Sequence, residues 1–399
     1  MVAGRSIRNQ VHAGPQGSGV SLFGRLLRRG VWSGLLAACL AALPVKAETI
    51  RVTDLAGREV VLTKPVDRFI VSEGRYIPLL ALLRPDNPVE GLVGMMSPLS
   101  WTEPAVEAQL FERFPDAREI PLFGHRTADS VSVEKIILLA PQVAIFGLSD
   151  HGPGAKAAEL IGLLEASGTA VVFIDFRLDP LNNTLPSLEL LGRILGAEQR
   201  AAAYAAFYRE RLADIDRRLA EVTEEPTVFL QAHPGRFECC WGMADGMLGP
   251  FIGRLGGRNI ADAVAPGPTA QHTAEFLLTE NPDVWIGTAS GTAEEYREGA
   301  PPVTLGAGLA PAEAADSLRR YLSAPEFQAL DAVRSGRAHS IWHNFYNSPF
   351  NIVAVEAFAK WLHPEAFADL DPQDTLERIY TEFIGFELEG TYLGSLPRE

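Results

Sequence analysis

A run of 26 residues, Ala197–Val222, contains neither proline nor glycine. As a helix at ~1.5 Å per residue it would reach ~39 Å, about the width of a domain. Its apolar positions Ala202, Ala206, Leu212, Ile215 and Leu219 recur at helical spacing, with arginines and acids between them. The pattern on either side is different. Short β-branched runs ("RFIVS", "GLVGM", "QVAIF" and "AVVFI" before it, "TVFLQA", "VWIG" and "AHSIW" after it) alternate with helical patterns such as Ile77–Leu83, Val133–Leu139, Ala155–Ala166, Ile352–Leu362 and Thr375–Phe383. That rhythm predicts parallel sheets covered by helices. The chain therefore reads as an α/β protein with two Rossmann-like lobes joined by one long backbone helix. The expected boundaries are 48–198 for the first lobe, 199–222 for the helix and 223–399 for the second lobe.

The two halves echo each other. "SVEKIILLAPQVAIF" runs from Ser132 to Phe146, and "TAEFLLTENPDVWIG" from Thr273 to Gly287. Overlaying Glu134 on Glu275 also places Ser132 on Thr273 and Pro141 on Pro282. Each copy predicts a capped helix, a turn and a strand, and one copy falls in each half. Ahead of both, "IRVTDLAGREVVLT" alternates around Asp54–Gly57 as a β-hairpin would.

The first 47 residues have a separate character. They hold six basic residues, no acid, and an apolar run Val31–Leu43 that is too short to span a bilayer. "VKA" ending at Ala47 matches what a signal peptidase reads, so residues 1–47 are expected to be a secretory signal. "RRGVWS" hints at twin-arginine export, and "LAAC" at a lipoprotein box around Cys39. The residues after Cys39 stay apolar, which favours cleavage after Ala47. Removing six bases from the chain's 35, with its 50 acids retained, leaves a net charge near −21. Such a surface repels nucleic acid and anionic lipid. The expected product is exported, soluble and monomeric.

In open α/β sheets ligands bind beyond the carboxyl ends of the strands. Collecting the residues that follow each predicted strand gives Arg75 and Tyr76, Trp101, His125 and Arg126, Arg177, His233 and Arg236, Trp241, and His343, Asn344 and Tyr346. Arginine grips anions with planar, bidentate geometry, and the aromatic side chains supply stacking faces. Two rims of this kind facing each other fit a bulky ligand that is partly anionic and partly aromatic. Enzyme signatures are thin, with no nucleophile elbow, phosphate loop or zinc-protease motif. His339 and His343 are four apart, but "AHSIW" reads as a strand, which works against a chelating pair. Cys239 and Cys240 are adjacent and are expected to be two separate thiols, since bridging neighbours requires a strained ring. No metal site and no cofactor are expected.

These features resemble a known family. "TDLAGREVVLTKPVDRFIV", "LGRILGAEQRAAAYAAFYRERLADI", "IGRLGGRNIA" and "FNIVAVEAFAKWLHPEAFADLDP" occur in the order and spacing seen in the helical-backbone (class III) solute-binding proteins of ABC importers. Those proteins serve iron–siderophores, haem, cobalamin and related chelates. The resemblance implies a periplasmic carrier without catalytic activity, whose partners are a membrane permease and its ATPase complex in the inner membrane. It also implies that one glutamate per lobe, Glu134 and Glu275, docks on permease arginines. For the ligand it implies a ferric siderophore held by Arg75, Arg126, Arg177 and Arg236. Alternatives are haem, through Tyr76, His125, Tyr346 or His343; cobalamin, on Trp101 and Trp241; or molybdate or tungstate in a smaller pocket. A rival from another class is an exported enzyme or metallochaperone that works through Cys239–Cys240 or His339/His343.

Overall fold

The computed structural model describes residues 48–396 other than Thr102, Arg126, Asp150 and His151. The expected secretory signal, residues 1–47, lies outside them. The chain opens as the predicted hairpin, β1 (Glu48–Thr53) paired antiparallel with β2 (Glu59–Lys64). Asp54 closes it by accepting the backbone N–H groups of Ala56 and Arg58, a side-chain mimic of a turn.

The first sheet contains β3 (Phe69–Glu73), β4 (Leu92–Ser97), β5 (Val143–Gly147) and β6 (Ala170–Ile174), all parallel, in the order β4-β3-β5-β6. Both of its faces are covered, as parallel sheets require, so its strands read as continuous apolar runs. The period of two still sorts the side chains. Phe69, Val71, Val143, Ile145, Val172 and Ile174 join the main core, whereas Ile70, Ala144, Phe146, Val171 and Phe173 join a smaller core under helices Val133–Leu139 and Ala158–Ala166.

The second sheet contains β7 (Thr227–Ala232), β8 (Trp241–Met243), β9 (Arg258–Asn259), β10 (Thr269–Gln271), β11 (Val284–Ala289), β12 (Ala338–Trp342) and β13 (Leu393–Ser395). Its order is β10-β8-β7-β11-β12-β13, with β9 beside β7. β7, β11 and β12 form the parallel centre, while β8, β10 and β13 add antiparallel edges.

Between the sheets runs the long helix, Glu198–Leu219, preceded by helix Pro180–Leu195. Gly196, at φ 68°, makes the left-handed break between them. The buried face differs from the one expected. Ala202 and Ala206 face solvent, and Ala201, Tyr204, Ala205, Phe207, Tyr208 and Ile215 face the core. Both sets recur at helical spacing, and the aromatic set wins because each ring removes far more apolar area from water than a methyl group does. Tyr204 donates to the Pro349 carbonyl at 2.9 Å, and Tyr208 to Asn351 Oδ1 at 2.8 Å. These bonds tie the helix to the turn at Pro349–Asn351. Among the described residues, no helix is long and apolar enough to cross a membrane.

Candidate functional site

The carboxyl ends of both sheets open onto one cleft of about 750 Å³. Strand ends β3 and β4 and the loop after β6 bring Glu73, Arg75, Ser97, Trp101 and Arg177 from the first lobe. Strand ends β7, β11 and β12 bring His233, Arg236, Trp241, Ser290, His343, Asn344 and Tyr346 from the second. Nine of the twelve residues predicted to meet ligand therefore line one cavity.

The other three do not. Tyr76 lies one residue before helix Ile77–Leu83, is buried and packs on Phe176 with ring centroids 6.3 Å apart. Its position in the first turn puts it on the core side, and burial raises its hydroxyl pKa. His125 is exposed and does not line the cavity, but stacks on Trp101, which does, at 5.7 Å. Arg126 is outside the described residues.

The arginines of the cleft are largely paired with acids. Arg75 Nε binds Glu73 Oε2 at 2.6 Å, and Arg75 Nη1 donates to the Tyr346 hydroxyl at 3.1 Å. Asn347 donates to the other Glu73 oxygen at 3.0 Å. Burial pushes the Glu73 carboxyl up, and Arg75, Asn347 and Arg177 pull against it. The Arg75 and Arg177 guanidinium carbons each stand 5.7 Å from the Tyr346 ring centre, a paired cation–π arrangement. The loop that carries Arg177 is fixed by Asp175, which accepts the backbone N–H groups of Arg177, Leu178 and Asp179. Across the cleft Arg236 holds Glu295 through two bonds of 2.9 and 2.7 Å and donates to the Ser290 hydroxyl. Burial raises the Glu295 carboxyl, but Arg236 and the backbone N–H of Thr292 outweigh this and hold it below the usual carboxylate range.

His233 and His343 pack against each other, with ring centroids 3.8 Å apart and planes tilted by 40°. His233 Nδ1 meets the Ser290 hydroxyl at 2.8 Å, and His343 Nδ1 meets that of Thr288 at 2.9 Å. Burial, with Arg236 nearby, lowers His233 to about 4, so its ring is neutral near pH 7. His233 sits at φ 49° in a turn completed by Gly235 at φ 85°. A Cβ at Gly235 would strike the Pro301 carbonyl, which is why the His-Pro-Gly-Arg turn needs glycine there.

Trp101 on one side and Phe237 and Trp241 on the other present aromatic surface, and Met96, Met243 and Met247 line the floor. Met243, Met247, Thr269, Ser290, Thr292 and Glu295 were not anticipated. The first three belong to or flank the short edge strands, which have no periodic signal. The latter three follow β11, where the predicted strand end carried no arginine or aromatic to mark it.

The other proposed working groups lie apart. His339 bonds Ser395 at 2.7 Å and stacks on Trp361 at 4.7 Å, away from His343. Cys239 and Cys240 are joined as a disulfide, against the expectation of two thiols. The peptide bond between them is cis, and their Cα atoms are 3.0 Å apart. Among the described residues no group of three or more His, Cys, Asp or Glu side chains is arranged to hold a metal ion.

Two α/β lobes, one connecting helix and a solute-sized cleft between their strand ends define a solute-binding protein. The periplasmic binding protein family profile matches residues 99–341, more than half of the chain, and the protein belongs to that family. Members deliver solutes to the permease of an ABC importer. Among solved structures, the TroA-like periplasmic binding protein FepB of Veillonella parvula is similar at 23% identity, covering 87% of this chain and 100% of its own, with a TM-score of 0.76. The molybdate-bound MolA of Haemophilus influenzae is 17% identical over 86% and 99% of the two chains, with a TM-score of 0.61. The haem-binding RhuT of Roseiflexus sp. RS-1 is 18% identical over 75% and 99%, with a TM-score of 0.52. At these identities the likeness is one of fold. No curated protein sequence matches significantly.

Proposed function

We propose that the protein captures a ferric siderophore in the inter-lobe cleft and hands it to a membrane permease. The observation that carries this reading is the cleft's combination of size and lining. About 750 Å³ is within the range of small-molecule sites and far larger than a bare ion or a tetrahedral oxyanion needs. Its aromatic and methionine walls suit an organic chelator. Arg75, Arg177 and Arg236 suit the chelate's negative charge. Because Glu73 and Glu295 already neutralise part of that positive charge, a chelate of low net charge fits better than a highly anionic one.

Haem is the second reading, and the histidine pair favours it. The two imidazoles pack together in the cleft wall, and Tyr346 adjoins His343 at a centroid distance of 4.8 Å.

Trp101 and Trp241 at the cleft make tryptophan fluorescence the direct test. Purified protein titrated with ferric hydroxamates and ferric catecholates should show saturable quenching by at least one of them. Silence to all of these, with a response to haem, would replace the first reading by the second. A response to molybdate alone would sink both. The Glu134 and Glu275 docking role belongs to the same proposal, since both side chains are exposed, one on each lobe.

A further inference from the structure

Each lobe carries one copy of the echoed element, and the copies match in more than sequence. Helices Val133–Leu139 and Ala274–Glu280 begin on Ser132 and Thr273, whose hydroxyls accept the backbone N–H groups of Lys135 at 3.3 Å and Phe276 at 3.1 Å. Both bury one aliphatic side chain, Ile136 or Leu277. Both end on a left-handed residue, Ala140 at φ 45° or Asn281 at φ 39°, and then a proline. On the outward face stand Glu134 and Glu275, both exposed. Three residues on, in each copy, an aliphatic side chain projects into water: Ile137 is 46% exposed and Leu278 is 41% exposed. The first copy adds Leu138 at 83%, where the second has Thr279. Positions i, i+3 and i+4 share one helix face, so acid and aliphatic side chains lie side by side.

A lone exposed aliphatic residue is ordinary. These are not isolated cases. Among the described residues nine large hydrophobic side chains are exposed, and three of them fall on these two seven-residue helices. Packing within the chain does not account for side chains that face solvent. The duplication points instead to a common external partner. Placement agrees. Each helix stands directly before a central parallel strand of its own sheet, β5 or β11. Each lobe therefore carries one acid–aliphatic pair at the same place in its fold.

We infer that each echo helix is a two-part docking element, and that the importer's permease occupies both. This rests on the reading of Glu134 and Glu275 as docking acids and extends it. The permease should offer two equivalent surfaces, each with a cationic side chain beside an apolar recess. An exposed ion pair contributes little by itself and mainly steers and orients. The aliphatic side chain supplies the water-excluded area that holds the complex. Leu138 makes the first lobe's element the more apolar, so that lobe supplies more of the water-excluded contact.

The test uses the exported protein and the permease–ATPase complex in lipid nanodiscs, with ligand affinity and thermal stability measured alongside. The paired variant Ile137→Ser/Leu278→Ser should weaken docking by about tenfold or more. Ligand affinity and unfolding temperature should be unchanged. Leu138→Ser alone should weaken docking about threefold, and it decides the matter if the paired variant misfolds. Glu134→Lys/Glu275→Lys separates the two layers. If the lysine pair loses docking while the serine variants dock as tightly as the parent, the acids act without the aliphatic side chains, and this inference is overturned while the docking reading stands. If neither set weakens docking, both fall.

Discussion

Glu103 comes from the first lobe and ends its side chain inside the second. Its Oε1 accepts a hydrogen bond from Trp342 Nε1 and a longer one from Asn344 Nδ2 at 3.5 Å. Burial pushes its pKa up to about 8, against the opposing pull of those donors, the Ala307 backbone and Arg75. The folded-state pKa thus lies above the unfolded value, so the folded form binds the proton more tightly. Its stabilising contribution is complete below pH ~4.5 and is lost as pH rises through about 8. Unfolding temperature measured from pH 5 to 9 should therefore fall more steeply in the parent than in Glu103→Gln, which cannot titrate. Equal slopes would show that Glu103 keeps an ordinary pKa. His233 has the opposite sign. Lowered to about 4, it withdraws stability as pH falls from its ordinary range toward 4, and His233→Asn should flatten the acid side of the same profile. At this scale the sequence carried part of the cleft. The strand-end rule brought Arg75, Arg177, His233, Arg236, Trp241 and His343 to one cavity, because parallel topology fixes where those ends lie. It could not say that Arg236 pairs with Glu295, which is 59 residues away, nor that Arg75 turns back onto Glu73, two residues before it, rather than toward open solvent.

The element scale was the most legible, and its errors have definite causes. Helices Ile77–Leu83, Val133–Leu139 and Ile352–Leu362 fall where the pattern put them. The long helix does so too, but is 22 residues long and turns a different face inward. Edge strands β8, β9, β10 and β13 were missed. They are two or three residues long, too short for any periodicity, and exist because a neighbouring strand offers them a ladder. The echo helices give the clearest prediction at this level. Ala140 occupies a left-handed conformation that costs an L residue with a Cβ about 1 kcal/mol, whereas Asn281, in the matching place, tolerates it better. Ala140→Gly should raise stability by up to about 1 kcal/mol in chemical denaturation, and Asn281→Ala should lower it. If Ala140→Gly is destabilising instead, helix Val133–Leu139 does not end in that conformation.

At the scale of the whole molecule, the question is how independently the lobes move. The long helix is only one of their connections. One buried apolar cluster runs from Phe69 and Val71 of the first sheet through Tyr204, Tyr208 and Phe350 to Phe229 and Trp285 of the second. Polar bonds cross at the base of the cleft as well: Asn347 to Glu73, Arg75 to Tyr346, and Trp342 to Glu103. Breaking one such bond leaves a buried polar atom unpaired, which costs about 1–3 kcal/mol, so a wide hinge opening would sacrifice several at once. Two consequences follow. Ligand binding should change the radius of gyration, about 20 Å for a chain of this size, by less than about 1 Å in small-angle scattering. Denaturant should also unfold the protein in a single transition seen alike by tryptophan fluorescence and far-ultraviolet circular dichroism, because neither lobe can expose its share of the common core while the other stays folded. Tyr208→Phe sharpens the test. It strips Asn351 Oδ1 of its donor at the junction and should lower the shared midpoint without splitting it. Two separated transitions, in the parent or the variant, would mean that the lobes are autonomous and that the connecting helix alone limits their motion.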